Sequence, residues 1–111
     1  MIQPIKQTFF LKKDEIQHKL DSRQVMLTVE IEKLRNERSY WIAVLKKTED
    51  SDVLNHCRVQ IDDITVRIGD LEQSKVDLDR ERKATINILK REYYEQVAAL
   101  EKQFSQKGVL S

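Results

Sequence analysis

Apolar residues recur along this chain at intervals of three and four, the spacing that lines side chains along one face of an α-helix. The most regular stretch lies in the second half. Cys57, Ile61, Ile64, Ile68 and Leu71 step by four, three, four and three, a seven-residue repeat. Beyond Leu71 the row continues through Lys75, Leu78, Arg82, Ile86, Leu89, Tyr93, Val97, Leu100 and Phe104, with intervals that read three-four-four. That is an eleven-residue repeat. Seven residues wind paired helices into a left-handed supercoil, whereas eleven straighten it or reverse its hand. The first half carries a looser row of Phe9, Ile16, Leu20, Leu27, Ile31, Leu34, Trp41 and Leu45, with Lys13, Arg23 and Arg38 at intervening positions.

The two rows do not share one face of a continuous helix. Leu45 to Ile61 is sixteen residues, and at about 100° per residue the offset is about 160° after whole turns are removed. Between them, Thr48-Glu49-Asp50-Ser51-Asp52 is rich in side chains that compete for backbone hydrogen bonds, and Asp50 or Ser51 is placed to cap a second helix. A reversal near residue 50 sets residue i against roughly residue 100 − i. Trp41 then comes near Val59 and Ile61, Leu34 near Ile64 and Ile68, and Leu27 near Leu71. No glycine or proline marks this turn.

The pattern therefore predicts an all-α, elongated coiled coil, with two long helices in an antiparallel hairpin; the alternative is one long rod in a parallel oligomer. The expected segments are a lead-in over 1–7, a first helix over 8–47, a turn over 48–52, a second helix over 53–106 and a tail over 107–111. Pro4 suits the first turn of a helix, and the pair Lys107-Gly108 suits its end. Gly69, inside the second helix, marks either a close approach by another backbone or a tolerated weak spot.

Charge favours the hairpin. Residues 1–48 carry ten Lys/Arg against six Asp/Glu (+4), residues 49–79 three against nine (−6), and residues 80–111 seven against four (+3). The reversal lays the first block along the second, and alternating blocks serve helix pairing better than they serve a polyanion. The basic patch of Arg80, Arg82, Lys83, Lys90 and Arg91 is interrupted by Glu81, Glu92 and Glu95, unlike a basic-zipper region. Nucleic acid is not an expected partner.

Candidate chemistry is sparse. His56 and Cys57 are adjacent, so on a helix they diverge, and His18 is the one other imidazole; a zinc site needs about four converging ligands. A single cysteine forms no internal disulfide and suits a reducing compartment. No apolar run approaches the roughly 18 residues of a membrane span. The expectation is a non-enzymatic intracellular protein, cytoplasmic or cytoskeletal, with no catalytic, cofactor-binding or metal-binding residues and no small-molecule substrate.

In periodicity and charge, residues 8–106 resemble the rod segments of eukaryotic cytoskeletal and ciliary coiled-coil proteins. That resemblance implies a structural or scaffolding role. The expected partners are other coiled-coil chains or a second copy, with a cytoskeletal polymer as a further candidate; the alternative is a hairpin adaptor or chaperone-like module holding one client. The expected partner-binding residues are Phe10, Trp41, Tyr93, Tyr94, Val97, Leu100 and Phe104, the bulky aromatics together with the apolar end of the second row.

Overall fold

The computed structural model describes the backbone of residues 2–106 and the side chains of residues 3–105. The expected Lys107-Gly108 helix end and the tail lie outside the described residues. The protein is an antiparallel helical hairpin of α1 (Ile2–Lys47) and α2 (Ser51–Gln106). Helix α1 takes in residues 2–7 as well. Pro4 is compatible with this because the amide it lacks belongs to a first turn that has no intrahelical acceptor.

Side-chain oxygens make the reversal without glycine or proline. Thr48 N still donates to Val44 O at 3.1 Å, which closes the last turn of α1. Thr48 Oγ1 then accepts from Asp50 N at 3.3 Å. Asp50 Oδ1 accepts from Asp52 N at 2.9 Å and Val53 N at 3.3 Å, while Asp50 O accepts from Leu54 N at 2.9 Å. Asp50 is thus the N-cap of α2, satisfying two donors that have no helical acceptor. Lys46 and Lys47 end α1 and Asp52 begins α2, each with the charge that the helix dipole favours at that end.

The chain divides into two compact units, one of residues 22–78 and one of residues 1–21 with 79–111. In the first, the seam positions keep a seven-residue repeat on both helices. They are Gln24, Leu27, Ile31, Leu34, Arg38, Trp41, Leu45 and Thr48 on α1, and Leu54, Cys57, Ile61, Ile64, Ile68, Leu71, Lys75 and Leu78 on α2; all are buried or half-buried. Ile31, Leu34, Ile64 and Ile68 form the core cluster, with Trp41 and Leu71 packed against it. Cys57 and Ile64 are wholly covered. The expected meeting of Leu34 with Ile64 and Ile68 is present. The expected meeting of Trp41 with Val59 is not, because Val59 is 63% exposed on the far face of α2 and the Trp41 ring lies instead edge-on to His56 at 5.3 Å.

In the second unit the repeat is eleven residues on both helices. Ile5, Phe9, Lys13, Ile16 and Leu20 step by four, four, three and four, facing Arg82, Ile86, Leu89, Tyr93 and Val97, and the row on α2 continues through Leu100 and Phe104. Phe9 stacks on Tyr93 at 4.9 Å, and Arg82 Nη1 meets Asp21 Oδ1 at 2.6 Å. These pairs fix the local register at residue i against roughly 102 − i. The change of period in α2 is therefore matched in α1, and it falls where the chain divides. Two helices of different period would drift out of phase within a few turns, so the match is what keeps each seam closed.

Candidate functional site

The best-formed cleft, about 30 Å³, lies in the 1–21/79–111 unit between Ile5, Phe9, Leu89 and Tyr93. It is a gap in a helix–helix seam, lined also by Thr8, Lys12, Glu92 and Gln96. Among the described residues no group of three His, Cys, Asp or Glu side chains is placed to hold a metal ion. Among the described residues no helix is long and apolar enough to cross a membrane.

The charged groups form a lattice of helix-surface pairs. Arg35 Nη2 reaches Glu72 Oε1 across the 22–78 unit at 2.8 Å, and Arg38 Nη1 reaches Thr65 Oγ1 at 3.4 Å. In the other unit, Arg82 bridges Asp21 and Asp79, its Nη2 lying 2.9 Å from Asp79 Oδ1; Lys83 reaches the second oxygen of Asp79 at 3.0 Å. Hydrogen bonds from Arg82 and then Lys83 hold the Asp79 carboxyl below its usual range, and the bond to Asp79 raises Arg82 in turn. These contacts tie the two helices together at the surface.

The expected partner-binding residues fall into two sets. Trp41 is half-buried and spent on the chain's own seam, where it packs against the core cluster. Its Nε1 is buried without a hydrogen-bond acceptor among the described residues. Tyr93 is likewise half-buried, held on Phe9. Phe10 and Tyr94 stand out from the seam at 46% and 66% exposure, in edge or tilted contact with Phe9 and Tyr93 respectively. Val97, Leu100 and Phe104 continue the seam in phase and are half-buried, as Ile86, Leu89 and Tyr93 are. By the register of Phe9 and Tyr93, Ile2 comes level with Leu100, so Phe104 lies past the first described residue of α1.

Reasoning from the first apolar rows alone missed a further set of side chains. Val25, Met26 and Val29 form an exposed apolar patch on α1, and Val59, Val66 and Val76 a row on α2. Their signal was present in the spacing: Val59 and Val66 are one heptad apart.

No family model matches this chain, and neither curated proteins nor solved structures give a match. The geometry is that of a helical hairpin suited to protein–protein contact.

Proposed function

We propose that this chain is a non-enzymatic structural or scaffolding module whose partners are helices of other proteins or of its own kind, in a cytoplasmic, cytoskeletal setting. Support comes above all from the continuation of Val97, Leu100 and Phe104 in phase with the seam, with Phe104 lying past the first described residue of α1. A tail without a partner has no physical reason to keep large apolar residues in phase with a seam. Covering what remains exposed of each is worth a fraction of the about 1.5–3 kcal/mol of full burial, before the cost of association. Phe10 and Tyr94 add aromatic surface of the kind that anchors interfaces. Polymers with acidic surfaces, such as microtubules, are the finer candidate, because residues 80–111 carry a net +3.

Two measurements test this reading. Replacing Leu100 and Phe104 by serine should abolish binding of a partner helix at this end while leaving helicity intact; unchanged binding with a less stable fold would make these residues internal packing. Co-sedimentation with polymerised tubulin addresses the finer reading. A chain that stays in the supernatant at low salt removes the microtubule candidate, and a monomer that binds one client at fixed stoichiometry would favour the adaptor.

A further inference from the structure

Within the 22–78 unit each helix carries a second row, about 150° around from its seam at the usual turn per residue. On α1 the row is Val25, Val29, Glu32, Asn36, Ser39 and Ala43; on α2 it is Val59, Asp62, Val66, Gly69, Gln73 and Val76. Both step by fours and threes, and every member is exposed. The valines are far from covered: Val25 62%, Val29 48%, Val59 63%, Val66 62% and Val76 46%.

We infer that these two rows bind one another between copies, the outer face of α1 on one molecule lying against the outer face of α2 on the next. Three observations point to a second copy as the occupant. The first is register. Taken antiparallel, the rows pair as Val25 with Val76, Val29 with Gln73, Asn36 with Val66 and Ala43 with Val59, with residue numbers summing to 101 or 102. That is close to the offset the chain already uses inside its own hairpin, where Arg38 meets Thr65. A neighbouring copy in the same orientation therefore presents α1 to α2 in the right direction and at the right height.

The second observation is charge. Residues 22–48 carry six Lys/Arg against three Asp/Glu, a net +3, and residues 49–78 carry three against eight, a net −5. Opposite blocks thus meet at the contact. The third is the state of the flanking charges. Lys33 on α1 and Asp70 on α2 border the rows at matching heights, and neither has a charged partner among the described residues. In the contact they face each other. Gly69, with nothing within 4 Å of where a Cβ would stand, leaves room for Glu32 of the neighbour.

Such a contact is heterologous, using a different surface on each molecule, so it propagates from copy to copy. The inference rests on the reading of the chain as a helix-binding module and names its partner. Sedimentation equilibrium of the full chain tests it with two variants confined to exposed positions. One carries Val25→Asp and Val29→Asp, the other Val66→Asp and Val76→Asp. The expected result is a wild type whose average mass climbs with concentration, each variant alone monomeric, and an equimolar mixture of the two forming a 1:1 dimer through the intact face of each. A wild type that stays monomeric to millimolar concentration overturns the contact, while leaving the helix-binding reading to the Leu100/Phe104 test. A single variant that dimerises by itself, with nothing gained on mixing, overturns it in favour of a symmetric interface. Charge reversal gives a second route: Lys33→Glu and Asp70→Lys should each weaken association, and the chain carrying both should recover it. Failure of the double variant to recover also counts against the contact.

Discussion

The side-chain amide of Gln24 donates to the backbone carbonyl of Lys75 at 3.3 Å, across the seam of the hairpin. Both are polar residues at positions that hydrophobic side chains occupy elsewhere in the row, and both sit just inside the point where the repeat changes from seven to eleven. A polar residue at a seam position gives up stability and defines register. Here the bond ties one height of α1 to one height of α2. Replacing Gln24 by leucine removes a bond worth about 0.5–1.5 kcal/mol net and adds apolar burial worth about 1.5–3 kcal/mol. The variant should unfold at higher urea concentration, and paired spin labels on the two helices should show a broader spread of distances. A destabilised variant would mean that the amide contributes more than register.

The cap at the reversal should be separable from its charge. Asp50→Ala removes the acceptor for Asp52 N and Val53 N and is expected to cost about 0.5–2 kcal/mol in urea unfolding. Asp50→Asn and Asp50→Ser keep an oxygen at the cap and should retain most of that stability.

Position 69 offers a gain. A Cβ built at Gly69 meets nothing within 4 Å, so within the chain no backbone approaches closely there. Gly69→Ala should raise stability by about 1 kcal/mol through helix propensity alone. A loss on thermal unfolding would show that the site is tighter than the isolated hairpin.

Core and surface isoleucines should differ sharply. Ile64, 1% exposed and inside the core cluster, should cost about 2–5 kcal/mol when cut to alanine. Ile88, 47% exposed on the same helix, should change stability by about 0.5 kcal/mol or less. Similar losses at both would place Ile88 in a covered interface.

Acid should weaken the 1–21/79–111 unit in a defined direction. The Asp79 carboxyl is held below its ordinary value of 3.8 by the hydrogen bonds from Arg82 and Lys83. With the folded value below the unfolded one, its contribution is full above about pH 3.8 and is lost as the pH falls through the lower, folded value. Asp79→Asn should flatten that part of a stability-versus-pH curve below pH 4. An unchanged slope would mean that the pair is too well solvated to be linked to folding.

Two helices, their all-α character and the antiparallel meeting of Leu34 with Ile64 and Ile68 were legible in the chain itself. Apolar periodicity is local information: intervals of three and four specify a helix face whatever lies opposite. The seven-to-eleven change in α2 was equally readable, because large apolar residues occupy nearly every seam position there. The matching change in α1 was not, since its seam runs through Lys13, Gln24 and Arg38, half-buried residues whose inward placement depends on what the facing helix offers. A long polar side chain can lie in a seam or leave it at similar cost. For the same reason only the packed structure decided that Trp41 belongs to the chain's own core, that Val59 faces away from it, and that Asp50, among several candidate caps, accepts the first amides of α2. Each of those outcomes depends on the path of the backbone through three residues of turn, where bonds from Thr48 and Asp50 side chains, and no pattern of hydrophobicity, set the geometry.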